Sequence, residues 1–368
     1  MSKASVGVIT FHLAVNYGAI LQTYALQQAI SALGCDSQVI NYQSHTHLNR
    51  YKKRSLIDCR SISDILRLIL YRPVETIKKN KFSDFISRNI KLSEPCYSKE
   101  ELAAVADKMD YVVTGSDQVW NFYNTGFDKR FFLDFVQNQN KKISYAASFG
   151  TDHLLDEYKE GYRDLLLEIP HISVREEQGR ELINKVLGIE KQISVVLDPV
   201  FLLDKVAWEK IAKNQSPSNK PYILVYLFGK GESVSDFIRC LAKETGCEVI
   251  CISSSFLGHV KGKYIRTAGP EEFISLFLNS KYIVTNSFHG TAFAINFNKP
   301  FFTELLPGSS KVNSRLENVL DTFELRERQV VNGKVQNPLA NINYDKVNVK
   351  LKEKREMSLN FLKKGLGI

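Results

Sequence analysis

The sequence contains no long apolar run, which narrows the class of protein. Nowhere do about 18 uncharged apolar residues occur together, the minimum for a membrane-spanning helix. The apolar stretch at residues 6–11 is too short for the core of a secretion signal, and no small-residue cleavage site follows it. We therefore expect a cytoplasmic protein that does not cross a membrane.

Three signatures of bound cofactors are missing as well. The six cysteines are scattered without a C-x-x-C pair, so neither a zinc site nor a redox dithiol is indicated. Carboxylates and histidines do not cluster at ligand spacing, and we predict no metal site. No G-x-G-x-x-G segment occurs, which argues against a dinucleotide cofactor.

What is present is an ordinary globular composition in a chain longer than one hydrophobic core usually supports. Apolar residues make up 44% and charged residues 24% of the 368, so two domains are expected. Short β-rich runs alternate with helical patterns, which predicts an α/β fold of two doubly wound units. We place an N-terminal unit at 1–199 with a basic insertion at 50–91, a C-terminal unit at 200–335 and an amphipathic helix at 336–368.

Positive charge is concentrated in one part of the chain. The net charge is +9, and the window from Arg50 to Lys91 alone contributes +8. Such a block suggests an anionic partner, namely acidic lipid, a pyrophosphate-linked substrate or nucleic acid. The solvated faces of amphipathic helices explain the same charges without a partner. Both interpretations stay open at this point.

Ligands of open α/β sheets bind beyond the carboxyl ends of the strands, so the residues that follow each predicted strand are candidates. The turn after the first predicted strand, Asn16-Tyr17-Gly18, is expected to start a helix. Glycine there lets a ligand approach the backbone, and the free amides attract phosphate or carboxylate. A plain structural turn explains these three residues equally well.

A denser polar cluster follows the strand predicted at 111–114. Ser116, Asp117 and Gln118 suit hydrogen bonding to sugar hydroxyls, and the indole of Trp120 suits stacking on a sugar ring. Alternatively, Ser116 or Asp117 caps the next helix and Trp120 belongs to the core.

Two further strand ends carry charged or titratable groups. Arg175 follows the strand predicted at 171–174, and its planar guanidinium can hold a carboxylate or phosphate with two bonds. A surface ion pair with Glu176 is the alternative. His289 lies in a polar turn that starts a helix, where it stands beside amides that bind phosphate and can exchange protons near neutral pH.

Taken in order, these segments resemble the polysaccharide pyruvyl transferase family. The resemblance covers roughly residues 6–320 and rests on Asn16-Tyr17-Gly18-Ala19, Thr114 to Asn121, Ser144 to Gly150, Ser173-Val174-Arg175-Glu176, Asp198-Pro199 and Ser287-Phe288-His289-Gly290. It implies a glycosyltransferase-B-like fold of two Rossmann-like units facing a cleft. The implied reaction moves the pyruvyl group of phosphoenolpyruvate onto two hydroxyls of a sugar, giving a cyclic ketal in bacterial cell-surface polysaccharide biosynthesis.

The resemblance also assigns roles to the candidate residues. We predict His289, Arg175 and Asp117 as catalytic residues, with His289 and Arg175 on the donor side and Asp117 on the acceptor side. Donor contacts are expected from Ser287, Phe288, Gly290, Thr291, Lys311 and Arg315. Acceptor contacts are expected from Asn16, Tyr17, Gly18, Ser116, Gln118 and Trp120. Phosphoenolpyruvate is a substrate, so no cofactor is expected.

The expected partners are phosphoenolpyruvate and a saccharide acceptor, and nucleic acid is not expected. An acceptor linked to a lipid pyrophosphate at the inner face of the cell membrane would give the basic window at 50–91 a purpose. Two other functions remain open. The same architecture serves glycosyltransferases that use nucleotide sugars, and a catalytically inactive sugar- or lipid-binding protein would depend on the basic window alone.

Overall fold

The computed structural model describes residues 3–44, 61–213, 216–229, 231–253, 258–305 and 310–368. The chain forms two compact units. Unit 1 consists of Met1–Tyr51, Asn89–Leu203 and Lys350–Ile368, and unit 2 consists of Lys52–Arg88 and Asp204–Val349. Each unit contains one parallel six-stranded sheet, so the predicted fold class is confirmed.

The sheet of unit 1 has the strand order β2-β1-β3-β4-β5-β6. Its strands are β1 (Ser5–Ile9), β2 (Asp36–Val39), β3 (Tyr111–Thr114), β4 (Lys142–Ala147), β5 (His171–Val174) and β6 (Ser194–Val195). All neighbours pair in parallel. The central strands are apolar and buried on both faces, as expected for a parallel sheet covered by helices.

Helices cover both faces of this sheet. They are α1 (Tyr17–Ala32), α3 (Lys99–Asp107), α4 (Phe122–Thr125), α5 (Asp156–Leu167) and α6 (Glu177–Glu181). Helix α1 begins where the Asn16 side chain accepts a hydrogen bond from Ala19 N, and most of its residues are buried. Helix α3 begins with a capping box between Ser98 and Glu101, which satisfies amides of the first turn.

The sheet of unit 2 has the order β12-β11-β10-β7-β8-β9, the doubly wound arrangement of a dinucleotide-binding fold. Its strands are β7 (Tyr222–Tyr226), β8 (Glu248–Ile252), β9 (Lys263–Ile265), β10 (Tyr282–Thr285), β11 (Phe301–Glu304) and β12 (Gln329–Val330). Its helices are α2 (Ile62–Asn89), α7 (Lys205–Glu209), α8 (Glu232–Thr245), α9 (Pro270–Asn279), α10 (Phe288–Asn296) and α11 (Ser310–Thr322).

Helix α2 belongs to unit 2, although the sequence suggested an insertion in the N-terminal unit. Lys81 Nζ lies 2.7 Å from Glu272 Oε1 at the start of α9. Arg88 forms an ion pair of 3.0 Å with Glu271. Phe82 and Phe85, from the same helix, are fully buried. An amphipathic pattern indicates that one face of a helix is buried, but it cannot specify which unit covers that face.

The terminal amphipathic helix forms as α12 (Tyr344–Gly365) and divides between the two units. Its apolar face is buried, including Val347, Leu351 and Leu362. Ser358 Oγ accepts a hydrogen bond of 3.0 Å from Leu197 N, so the last helix completes unit 1. Among the described residues, no helix combines the length and apolar character needed to span a bilayer.

Candidate active site

The predicted site of unit 1 lies at the carboxyl edge of its sheet, where β1 and β3 are neighbours. The chain leaves these two strands in opposite directions, which makes the gap between their loops the preferred ligand position in such folds. Thr10 Oγ1 donates a hydrogen bond of 2.8 Å to Ser116 O and joins the two loops. The loop after β3 is therefore held in a fixed position relative to the loop after β1.

Asp117 sits at the tip of this edge in an unusual conformation. Its φ of +78° is in the left-handed region, which is costly for a residue with a side chain. Its carbonyl accepts hydrogen bonds from Val119 N at 2.8 Å and from Ser148 N at 3.0 Å. The residue is partly exposed, and its Oδ1 accepts a hydrogen bond of 2.9 Å from Gln118 N.

Buried charges lie directly behind Asp117. Arg175 Nη1 donates to Asp198 Oδ2 at 2.7 Å, and Ser116 Oγ donates to the same oxygen at 3.0 Å. Glu176 Oε1 accepts a hydrogen bond of 2.5 Å from Ser148 Oγ. Burial opposes the charged form of Arg175, but the carboxylates of Asp198, Glu176 and Asp117 outweigh it and raise the pKa of this guanidinium.

The side chain of Arg175 is 1% exposed and lies against Asp198 and Glu176. Its contact with the donor stays a prediction. Arg175 does form an ion pair with Glu176, which the sequence allowed as a surface contact, but this pair is buried. Arg175 also pairs with Asp198. Ser116 is likewise fully buried, and its hydroxyl holds Asp198 instead of pointing towards an acceptor.

Trp120 also does not occupy the exposed position that stacking on a sugar ring would require. It is 0% exposed, stacks on Phe132 and donates from Nε1 to Phe131 O at 3.0 Å. The alternative interpretation, that Trp120 belongs to the core, is therefore the correct one. A sequence cannot reveal which way a loop tryptophan faces, because the same polar neighbours surround it in both cases.

Gln118 is held in an amide cluster at the same edge. Its Oε1 accepts hydrogen bonds from Asn121 Nδ2 at 2.7 Å and Asn124 Nδ2 at 2.9 Å. Gly150, at a φ of +60°, packs so closely that an added Cβ would overlap Gln118 Oε1. The cluster fixes the orientation of the Gln118 amide, which is partly exposed.

The Asn16-Tyr17-Gly18 turn forms the start of α1, next to the loop after β1. Asn16 is the partly exposed N-cap, whereas Tyr17 and Gly18 are buried. His12, which was not predicted as a site residue, lies in this loop. Its ring nitrogens lie 3.1 Å from Thr10 O and 3.0 Å from Asn41 Oδ1. Burial lowers its pKa, with opposing contributions from Asn41 and Thr10. The rule that ligands gather beyond strand ends would have singled it out.

In unit 2 the predicted donor turn starts α10, after β10. Ser287 is the N-cap and accepts a hydrogen bond of 3.3 Å from Gly290 N, and His289 is the second residue of the helix and 9% exposed. A Cβ at Gly290 would overlap Thr285 Oγ1, so only glycine lets the helix approach the strand this closely. Thr291 is buried and its hydroxyl lies 2.9 Å from that of Thr303 on β11. Phe288 contacts the His289 ring.

Asn286 connects this turn to the loop after β7, across the gap where the strand order of unit 2 reverses. Phe228 N donates to Asn286 Oδ1 at 2.7 Å, and Asn286 Nδ2 donates to Phe228 O at 3.0 Å. The phenyl ring of Phe228 is 49% exposed at this edge. Sequence reasoning missed this loop, although Gly229 and Gly231 between a strand and a helix were a usable signal.

The remaining predicted donor residues belong to α11. Arg315 is partly buried there, whereas the side chain of Lys311 lies outside the described residues. Over the ranges that the structure covers, no three His, Cys, Asp or Glu side chains cluster as a metal site requires. The two edges therefore offer a helix start with a histidine in unit 2 and a carboxylate with amides in unit 1.

Comparison with known proteins identifies the family. Among solved structures, the chain resembles a glycosyltransferase from Rickettsia africae (13% identity, TM-score 0.46, covering 99% of this chain and 100% of that one). It also resembles UDP-GlcNAc 2-epimerase from Neisseria meningitidis bound to UDP-GlcNAc (12%, 0.45, 96% and 100%) and ADP-heptose lipopolysaccharide heptosyltransferase II from E. coli (9%, 0.40, 96% and 99%). No curated protein matches the sequence significantly. The family model of the polysaccharide pyruvyl transferases matches residues 16–303, so the chain belongs to that family.

Proposed function

We propose that this protein transfers the pyruvyl group of phosphoenolpyruvate onto two hydroxyls of a sugar and releases inorganic phosphate. The family match supports a transferase acting on a saccharide. The observation that carries the donor assignment is the start of α10, where His289 and the first amides of a nine-residue helix lie at the strand reversal of unit 2. Such a helix start favours an anion, and phosphoenolpyruvate carries both a phosphate and a carboxylate.

The reaction needs both a proton donor and a proton acceptor. The methylene carbon of phosphoenolpyruvate gains a proton, and one sugar hydroxyl loses its proton as it attacks the neighbouring carbon. The second hydroxyl then displaces phosphate and loses its proton as the ring closes. His289 binds the phosphate or delivers the proton, and Asp117 positions or deprotonates an acceptor hydroxyl, with Gln118 and Asn16 as further polar groups at the same edge.

Phosphate release from phosphoenolpyruvate tests this proposal directly. The enzyme is incubated with galactosyl, glucosyl and N-acetylmannosaminyl acceptors, and the product mass is checked for the ketal. Replacing His289 with Ala should lower turnover by about 100- to 10,000-fold. The exposed His259 of unit 2, which pairs with Glu232, provides a matched control whose replacement should leave turnover unchanged.

The other outcomes separate the competing functions. Transfer from a radiolabelled nucleotide sugar, without any reaction of phosphoenolpyruvate, would instead establish a nucleotide-sugar glycosyltransferase. Normal turnover and unchanged donor affinity in His289→Ala would refute the role of that residue. Binding of phosphoenolpyruvate by calorimetry, without turnover on any acceptor in the panel, would direct the search to other acceptors.

We further propose that the acceptor is linked to a lipid pyrophosphate and that the basic window binds an anionic membrane surface. Residues 50–60 of that window lie outside the described part of the chain. On α2, Ile69 and Leu70 are exposed beside the exposed Arg72, and Lys79 is exposed further along. Flotation with anionic vesicles should be lost in Arg72→Glu/Lys79→Glu and retained in Lys243→Glu. Equal flotation with neutral vesicles would refute the electrostatic contact.

A further inference from the structure

Phe228 carries a phenyl ring at the strand reversal of unit 2, on the same face of the sheet as the donor turn. The centroid of its ring lies 5.6 Å from that of Tyr226, the last residue of β7. Tyr226 packs on Phe273 of α9, and Phe273 packs on Phe293 of α10. The Phe228 ring therefore lies on the side of the sheet where α10 begins.

Hydrogen bonds fix the loop of Phe228 to the donor turn. One side chain, that of Asn286, bonds both the amide and the carbonyl of Phe228, at 2.7 and 3.0 Å. Thr285 Oγ1 donates to Tyr226 O at 2.6 Å and accepts a bond of 3.1 Å from Ser287 N. Since Ser287 is the N-cap of α10, the Phe228 ring keeps a defined position relative to the first turn of that helix.

The Phe228 ring is 49% exposed, although its neighbours Tyr226, Asn286 and Ser287 are buried. Single exposed apolar side chains are common on protein surfaces and carry no meaning by themselves. Phe228 differs because both polar groups of its backbone are held and because it lies beside a helix start that favours an anion. Such a ring forms a fixed apolar wall for a ligand bound at that helix start.

Phosphoenolpyruvate has one apolar side that such a wall would fit. Its central carbon bears the phosphate, the carboxylate and the methylene group. A proton that adds to the methylene leaves positive charge on the central carbon, and either a sugar hydroxyl or water can then attack that carbon. If water attacks and loses a proton, the bond from carbon to the phosphate oxygen breaks, and pyruvate and inorganic phosphate result. An aromatic face excludes water from this carbon and stabilises its positive charge.

We propose that Phe228 covers the methylene side of bound phosphoenolpyruvate and keeps water from its central carbon, so that this residue determines how much of the donor reaches the sugar. The inference rests on the proposed function and deepens it by naming the residue that separates transfer from hydrolysis. Asn286 is a positioning residue for the same step, because it holds the backbone of Phe228.

The ratio of pyruvate to phosphate measures this separation. The enzyme is incubated with phosphoenolpyruvate, with and without the sugar acceptors, and pyruvate, phosphate and the ketal are quantified. In Phe228→Ala the pyruvate share should rise about tenfold, and without an acceptor pyruvate should form about tenfold faster than with wild type. The Kd of phosphoenolpyruvate by calorimetry should stay within about threefold, because the charged groups of the donor bind elsewhere. Phe228→Tyr, which keeps the ring, should restore the wild-type ratio.

Two further variants separate this role from a general loosening of unit 2. Asn286→Ala should raise the pyruvate share as Phe228→Ala does, and the double variant should be little worse than Phe228→Ala. Leu339→Ala is the matched control. Leu339 is 46% exposed and precedes Ala340, whose carbonyl accepts a bond of 2.9 Å from Arg328 just before β12 begins. It lies at the opposite edge of the sheet, so its replacement should leave the ratio unchanged.

The remaining outcomes would overturn the inference. An unchanged pyruvate share in Phe228→Ala, or an equal rise in Leu339→Ala, would do so while the proposed function stands. A tenfold higher acceptor KM in Phe228→Ala at an unchanged ratio would assign the ring to the sugar instead. If no acceptor in the panel yields a ketal, equal pyruvate formation by wild type and Phe228→Ala without an acceptor would refute the role of the ring. Wild-type protein that does not bind phosphoenolpyruvate would refute the proposed function, and this inference with it.

Discussion

At the scale of single residues, close packing at Gly150 provides a test of the acceptor edge. In Gly150→Ala the new Cβ would overlap Gln118 Oε1 and lie 2.9 Å from Asn121 Nδ2, at a φ of +60° that strains any side chain. We expect a loss of about 1–3 kcal/mol in the free energy of unfolding, measured in urea, together with a higher acceptor KM.

Gly188→Ala is the matched control for this change. Gly188 has a φ of +62°, and no described atom lies within 4 Å of the point that a new Cβ would occupy, so only the backbone strain is added. It should cost less stability and leave the acceptor KM unchanged. Equal effects in the two variants would show that the contact with Gln118 is unimportant.

The buried His12 predicts acid sensitivity of unit 1. Burial lowers its pKa in the folded state, so between that value and about 6.5 the unfolded chain binds a proton that the folded chain does not. Stability should therefore fall as pH drops below about 6.5, and His12→Gln should flatten this dependence in urea titrations at several pH values. His171, whose pKa is also lowered by burial, contributes in the same direction. An unchanged slope in His12→Gln would contradict the assignment.

The sequence predicted which loops contain the polar residues of the site, but not which residues each of them contacts. His289 and Asp117 lie at strand ends as the sequence indicated. Arg175 meets Asp198 only because β5 and β6 are neighbours, and the sequence separates those two residues by a helix and a loop. Trp120 could not be placed from its neighbours, since its environment is made by the distant Phe132 and Phe149.

At the scale of elements, Asn286 joins the loops after β7 and β10. Asn286→Ala would remove two partly buried hydrogen bonds to the backbone of Phe228, at a cost of about 2 kcal/mol in the free energy of unfolding. The donor turn should loosen, and the affinity for phosphoenolpyruvate should fall. Asn279→Ala, which also removes a bond from an asparagine to a backbone carbonyl but at an exposed site, should affect neither quantity. Identical Kd values for Asn286→Ala and wild type would rule out this coupling.

Strands were predictable where a short run contains several β-branched residues. The bounds expected for β3 and β5 match those observed. Three strands of unit 2, β9, β11 and β12, were not predicted, because each contains only one β-branched residue. Their strand geometry comes from pairing with neighbours that the local sequence does not specify.

At the scale of the whole molecule, α2 is expected to stabilise unit 2. Phe85 is 0% exposed, and Phe85→Ala should lower the stability of unit 2 by about 3–5 kcal/mol with little effect on unit 1. Phe132 lies in the core of unit 1, so Phe132→Ala should lower the stability of unit 1 with little effect on unit 2. Hydrogen exchange resolved by peptide separates the two units. Faster exchange confined to unit 1 in Phe85→Ala would show that α2 has been assigned to the wrong unit.

The return of the chain to unit 1 has a consequence for the order of protein synthesis. The N-terminal strands leave the ribosome first, yet the hydroxyl of Ser358 that accepts a bond from Leu197 N arrives only with the last helix. Unit 2 has all its segments once Val349 has emerged, whereas unit 1 still lacks Lys350–Ile368. The unit that is begun first is therefore finished last, and a nascent chain halted before Lys350 would expose the surface that α12 covers.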